Sequence, residues 1–217
     1  MEHEFLGKIP FETALRHEAQ LATQLKQGCG RERVLAFEPE GVVTLGARGQ
    51  PRDLLLTPEE LMSRGFSLLN VPRGGQATLH NPGQLIIFPV IRFAPVRPRI
   101  WVNFLAQVTQ NFLADLGLET RWEDHRPGLY SARGKVMSMG LRLSQGISTH
   151  GLAINVHNEL EPFSWIRACG DPAAAVDRLQ TDLTLESLFE RWVLNFKREL
   201  TSLRNSPNLG SLHSARS

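Results

Sequence analysis

Apolar residues recur at helical spacing in three stretches of the chain. Residues 11 to 27 place Phe11, Leu15, Ala19, Ala22 and Leu25 on one face and meet a stop at Gly28. This predicts an amphipathic first helix that covers one face of a sheet. Residues 100 to 116 repeat the pattern at Val102, Leu105, Val108, Phe112, Leu113 and Leu116 before Gly117, which predicts a second long helix. A last helix is expected over about residues 184 to 200. A shorter one is marked by its ends: Thr57 as cap, Pro58 at the first helical position, Glu60 three residues after the cap, and Gly65 as the stop.

Strand-like runs fill the intervals. RVLAF and VVTLG flank the turn EPEG, so residues 33 to 46 read as a hairpin. QLIIFPVI has the length and apolarity of a strand buried on both faces, and the proline-rich RFAPVRPR after it is a loop. From Lys135 to Val156 the pattern alternates (Leu141, Leu143, then Leu152, Ile154, Val156) around Gln145-Gly146, which predicts paired strands. These gaps are too short for helical crossovers, so both pairings are expected to be antiparallel and the fold class α+β. Residues 1–203 are expected to form one domain, with the small, polar segment 204–217 a disordered tail.

Composition narrows the function classes. The 217 residues are 41% hydrophobic, enough for a substantial core. A formal net charge of +2 lacks the basic excess of a protein that neutralises many phosphates, so no nucleic acid partner is expected. No run approaches the roughly 18 consecutive apolar residues of a membrane span, and MEHEFLGKIP lacks the pattern of a secretory signal. A cytoplasmic protein with no membrane partner is expected. Cys29 and Cys169 form no C-x-x-C pair and no H-E-x-x-H is present, so neither a metal nor a cofactor is called for. Only four of the 24 basic residues, Lys8, Lys26, Lys135 and Lys197, are lysines.

Three clusters carry candidate chemistry: RGGQATLHNPGQ at 73–84, GKVMSMG at 134–140, and THGLAINV with WIRACG between 149 and 170. The glycines of the first allow close backbone approach to a ligand, and Arg73 and His80 offer a charge and a titratable ring. A tight turn with a solvated arginine and a packed histidine explains the same residues. The cluster is neither a P-loop nor a dinucleotide fingerprint, so nothing marks an ATP-driven reaction. Cys169 sits between WIRA and Gly170, a loop-like setting in which Arg167 and a nearby lysine would lower the thiol pKa from about 8.5. An inert buried thiol is the plainer alternative. Lys135, between Gly134 and the apolar VMSM, is the natural lysine partner, although an ordinary lysine lies on a solvated face.

Together these residues carry a family resemblance. RGGQATLHNPGQ resembles the RGG-x-x-T-x-H-x-PGQ signature of the octanoyltransferases of lipoate biosynthesis, the lipoyl(octanoyl) transferase family. The order of the other motifs is similar: GK with a short apolar stretch and a glycine, then R-x-S-x-G-x-x-x-H-G-x-A-x-N-V, then Cys-Gly after P-F-x-x-I. The resemblance covers roughly residues 33 to 170. It implies a fold related to biotin protein ligases and lipoate ligases, with a mixed, largely antiparallel sheet flanked by helices. It also implies a reaction in which an octanoyl group from octanoyl-acyl carrier protein passes to Cys169 as a thioester. From there it goes to a lysine of a lipoyl domain, in 2-oxoacid dehydrogenase complexes or the glycine cleavage H protein. Lys135 would lower the thiol pKa.

The family's substrate-binding stretches fall on Arg73, Gly74, Gly75, Gln76, Ala77, Thr78, Leu79 and His80. They continue at Ser138, Met139 and Gly140, and at Gly151, Leu152 and Ala153. His150 and His80 are expected to orient substrate or scaffold the site, Leu79, Ile86, Met137, Met139 and Leu152 to wall an acyl slot, and Arg73 and Arg142 to face an acidic partner. The chain departs from the family pattern at Gln76, Leu79, Asn81 and Ala168. The rival readings are an amidotransferase that moves octanoyl between lipoyl domains, an ATP-dependent lipoate ligase, and a non-catalytic lipoyl-domain binder.

Overall fold

The computed structural model describes residues 1–167 and 175–205. It is an α+β domain with two sheets. The chain opens with a strand, β1 (Glu2–Ile9), leading into α1 (Phe11–Lys26) and then β2 (Arg33–Pro39), and β1 and β2 pair in parallel across that helix. The remaining elements are β3 (Val42–Leu45), α2 (Pro58–Ser63), β4 (Ser67–Asn70), β5 (Ala77–His80), β6 (Gln84–Arg92), α3 (Pro98–Asp115), β7 (Arg121–Trp122), β8 (Gly128–Tyr130), β9 (Lys135–Ser144), β10 (Ile147–Asn155) and α4 (Leu185–Asn205). The large sheet runs β1-β2-β6-β10-β9-β8-β7, antiparallel apart from β1–β2. The small one runs β4-β3-β5.

The expected hairpin at 33–46 is not formed: β2 belongs to the large sheet and β3 to the small one. β2 already has partners on both edges, β1 and β6, so the chain must leave the sheet after Pro39. It turns at Gly41, where a Cβ would stand 2.8 Å from the Gly65 carbonyl oxygen. The pairing at 135–156 is as expected. Gln145 (φ 52°) and Gly146 (φ 74°) supply the two positive angles of a tight turn whose twist matches that of the strands. The capping box at Thr57 and Glu60 is also present, with both reciprocal hydrogen bonds made.

β6 explains its own uninterrupted apolar run. Leu85, Ile87 and Ile91 face the core under α3 and α4, where Trp101, Phe112, Trp192 and Phe196 are buried. Ile86 and Phe88 face the opposite way, towards α1 and Phe11. The small sheet packs on α2 and a 3-10 turn at Glu161–Trp165 through Val43, Leu61, Phe163 and Ile166. Leu79 belongs to this third cluster and is wholly buried, so its side chain is core and not an acyl-slot wall. Met137 is likewise packed in the main core. Helix α4 runs through Asn205, two residues past the expected domain end, and residues 206–217 lie outside the described residues. Among the described residues no helix is long and apolar enough to cross a membrane.

The burial of Leu79 sets a stability test. Leu79→Ala should cost about 2–5 kcal/mol in urea unfolding, whereas Met62→Ser, at a side chain that is 67% exposed, should stay within about 0.5 kcal/mol. A Leu79 variant as stable as the parent would contradict the assignment.

Candidate active site

Between the two sheets lies a cavity of about 360 Å3, within the usual range for small-molecule sites. One wall is the segment 73–80. Arg73, placed by the sequence at a partner-facing surface, is only 7% exposed. Its Nη2 donates to the Thr44 carbonyl (2.8 Å), the Thr44 hydroxyl (2.8 Å) and the Gln76 carbonyl (2.9 Å), and its Nη1 donates to the Gly74 carbonyl (2.9 Å). The guanidinium thus ties the glycine-rich loop to β3. Arg142 is exposed on β9, and Arg48, which the sequence did not single out, is exposed at the cavity wall.

The facing wall comes from β9 and β10. Gly140 and Gly151 are paired across the two strands. A Cβ at Gly151 would lie 1.9 Å from the Ile87 carbonyl oxygen, and one at Gly140 would lie 3.0 Å from Arg73 Cδ. A side chain at Gly151 would force β10 away from β6, and one at Gly140 would need Arg73 to give by a few tenths of an ångström. Of the predicted substrate-binding stretches only Leu79 is absent from the lining, and of the predicted slot walls Met137 is absent as well. The 73–80 segment runs the length of the cavity. At one end Gly74 N–H donates to the Leu141 carbonyl (2.9 Å), and at the other His80 reaches a buried amide network beside Lys135. Lys135 and Leu141 are six residues apart on β9, about 20 Å at 3.3 Å per residue.

Lys135 begins β9, is 9% exposed and lines the cavity. Its Nζ lies 5.4 Å from the centre of the Tyr130 ring, a cation–π distance. Gly128 makes room for it, since a Cβ there would meet Lys135 Cε at 2.3 Å. The main chain of Lys135 holds the segment that follows the cysteine motif: its N–H donates to the Ala175 carbonyl and its carbonyl accepts from the Asp177 N–H, both at 2.9 Å. Asp177 in turn accepts from Ser131 and Arg133. Burial raises the Asp177 pKa, but hydrogen bonds from Ser131, the Arg178 N–H and Arg133 outweigh it and hold the carboxyl below its ordinary value. On the upstream side Arg167 N–H donates to the Asp53 carbonyl (2.8 Å). Cys169 lies outside the described residues. Cys29 is exposed, unbridged and not part of the cavity wall.

The two histidines mark opposite ends of the cavity. His150, paired with Leu141, has φ 55° and is held by Glu18 of α1, whose carboxylate accepts from the His150 N–H and sits 3.0 Å from Nδ1. His80 stacks on Phe11 with ring centres 4.8 Å apart, and its Nδ1 is 3.2 Å from Gln84 Oε1. Burial, together with the positive charge of Arg73, lowers the His80 pKa to about 3 against the pull of the Gln84 bond, so the ring is neutral near pH 7. Glu18 went unremarked in the sequence, and Gln84 and Asn155 stood there only as letters of the motifs, without a role. Glu18 interrupts an otherwise apolar helical face, which is the signal it offered. Asn81 bridges to Asn158 and to the Glu159 carbonyl, a role for the residue that departs from the motif. Among the described residues no three His, Cys, Asp or Glu side chains are grouped to hold a metal.

The depressed His80 pKa has a measurable sign. Unfolded histidine titrates near 6.5, so between pH 6.5 and 3 the unfolded chain binds a proton that the folded one refuses. Stability from this group is intact above pH 6.5 and falls as pH drops, by up to about 1.4 kcal/mol per unit. His80→Gln should flatten that part of the stability–pH curve, and an unchanged slope would contradict the assignment.

Comparison with known proteins places the chain in a family. The family model of the lipoyl protein ligase A/B catalytic domain matches residues 10–196. An octanoyltransferase from Laribacter hongkongensis is 34% identical over 189 residues, covering 86% of this chain and 87% of the relative. One from Citrifermentans bemidjiense is 33% identical over 210 residues, covering 96% of each. Among solved structures, lipoate-protein ligase A bound with ATP superposes with a TM-score of 0.77 at 17% identity, covering 93% of this chain and 86% of that one. The Aquifex aeolicus biotin protein ligase in complex with biotin and ATP gives 0.55 at 13%, covering 93% and 71%. The chain therefore belongs to the lipoyl protein ligase A/B catalytic domain family, and within it to the octanoyltransferases, which are acyltransferases.

Proposed function

We propose that the chain moves an octanoyl group from a carrier-protein thioester to a lysine of a lipoyl domain through a thioester on Cys169, with Lys135 as its cationic partner. The observation that carries this reading is the ladder between Lys135 and residues 175–177. It pins the chain six residues after Cys169 to the main chain of the lysine, while Arg167, two residues before it, is bonded to Asp53. Both flanks of the cysteine motif are thereby fixed, the downstream one to the lysine that lines the apolar cavity.

The chemistry suits those groups. The Cys169 thiolate forms a C–S bond to the acyl carbon and the carrier thiolate departs. The acceptor amine then forms a C–N bond, and the C–S electron pair returns to Cys169. One amine proton ends on that sulfur through Lys135, which gives up one proton and takes back another. An ammonium near the sulfur favours the thiolate. Thioester exchange is nearly balanced and amide formation from a thioester runs downhill, so no nucleotide is needed. Ile86, Phe88, Met139 and Leu152 supply apolar wall, and seven buried carbons at about 0.8 kcal/mol each give roughly 5.6 kcal/mol for recognising the chain. A reducing, cytoplasmic setting would keep both thiols free.

Cys169→Ser should abolish transfer, and Cys29→Ser should leave the rate within about twofold, because only the former lies in the motif. Equal loss in both would argue for a structural role of the thiols. Lys135→Ala should slow iodoacetamide alkylation of Cys169 at neutral pH by roughly tenfold, the effect of about one pKa unit. Unchanged alkylation would remove the lysine's electrostatic role. Transfer that requires ATP and survives Cys169→Ser would instead support a ligase.

A further inference from the structure

The buried amides beside Lys135 form a chain with a fixed direction. Asn155 Nδ2 donates to two main-chain carbonyls, those of Asp177 (2.9 Å) and Lys135 (3.2 Å), and a carbonyl can only accept. Asn155 Oδ1 must therefore face the next residue, where it accepts from Gln84 Nε2 at 2.8 Å. A weaker contact from the same Gln84 nitrogen to the Leu79 carbonyl agrees with that orientation. Gln84 thus turns Oε1, an acceptor, towards His80 Nδ1. The ring has to carry its proton on Nδ1, which leaves Nε2 as a bare lone pair. Among the described residues Nε2 has no partner, and it is not one of the fully buried polar atoms left unsatisfied. His80 lines the cavity, so Nε2 opens onto it.

We propose that His80 binds the incoming lysine amine of the lipoyl domain, its Nε2 accepting one amine N–H, and that Gln84 and Asn155 are positioning residues holding the ring in the tautomer this requires. The inference rests on the cysteine acyl-enzyme reading above. Of the two groups that meet in the second step, the thioester offers acceptor oxygen and sulfur, and a bare imidazole nitrogen has nothing to donate to either. The amine brings N–H bonds. Holding one of them leaves the nitrogen lone pair free to form the C–N bond with the acyl carbon as the C–S pair leaves on Cys169. A ring whose pKa is about 3 holds a proton too weakly to serve as the base at neutral pH, so proton movement stays with Lys135. His150 stands at the other end of the cavity, opposite Leu141.

The test separates the two half-reactions in the full-length chain. Octanoyl carrier protein loads the enzyme, the adduct is counted by intact mass spectrometry, and its decay is followed against rising lipoyl-domain concentration. His80→Ala should load within about twofold of the parent, yet transfer roughly a hundredfold more slowly at saturating acceptor, the scale of a misplaced reactant. Nitrogen-15 NMR of the unaltered chain should show His80 protonated at Nδ1 and bare at Nε2. Gln84→Leu should blur that signature and slow transfer about tenfold while sparing loading. An Nε2-protonated ring in the unaltered chain, or loading and transfer reduced alike in His80→Ala, would overturn the proposal. If the unaltered chain forms no adduct, the acyl-enzyme reading fails and this proposal with it. An adduct that drains at the parental rate in His80→Ala overturns this proposal alone.

Discussion

A buried amide that loses its partners costs about 1–3 kcal/mol, and the side chain of Asn155 stands where losing them would unfasten three parts of the molecule. Its Nδ2 joins the first residue of β9 to the segment after the cysteine motif, and its Oδ1 collects Gln84 and Asn158. The neighbouring main chain adds to the same knot, for Leu179 N–H donates to the Asn155 carbonyl. Placement of Lys135, the path of residues 175–179 and the orientation of His80 all converge on this one buried side chain. Such networks rigidify a site only when every member is satisfied, and here each amide oxygen and nitrogen of Asn155 and Gln84 has a partner.

The cavity follows from two sheets that diverge where the chain leaves β2. One sheet supplies β9 and β10 with their opposed glycines, the other supplies β5, and Arg73 ties the loop between them by bonds to Thr44 and to loop carbonyls. A glycine-rich segment is entropically costly to order, and a buried guanidinium with several main-chain acceptors offsets that cost at the one place where the wall must be thin. The proposed transfer uses this arrangement: an apolar trough for the chain, a cation and a neutral acceptor at one end, and the Glu18–His150 pair at the other.

The three long helices were legible in the sequence because each carries a 3.6-residue apolar period, and α2 because its capping box and Gly65 mark its ends. The β9–β10 hairpin was legible because Gln145-Gly146 supplies the positive angles its turn needs. β1 was not, because EHEFLGKI at the sheet edge buries no side chain fully and so leaves no clean alternation. The expected pairing of β2 with β3 failed because proximity in sequence says nothing of edges already occupied by β1 and β6. For the site, the substrate-binding stretches gathered at one cavity, but Leu79 shows the limit of carrying a motif over whole. Neighbours along a strand face opposite ways, so Leu79 packs in the core while Thr78 and His80 line the cavity. Glu18, Gln84 and Asn155 act through contacts 132, 4 and 20 residues away, and only folding brings the first and last to the site.

The proposed transfer stands or falls on a covalent acyl-sulfur bond at one position. Incubation of the full chain with octanoyl carrier protein, followed by proteolysis and peptide mass mapping, should place a hydroxylamine-sensitive octanoyl group on the peptide that contains Cys169. An octanoyl group found on Cys29, or no covalent product under conditions where acceptor domains become octanoylated, would contradict it.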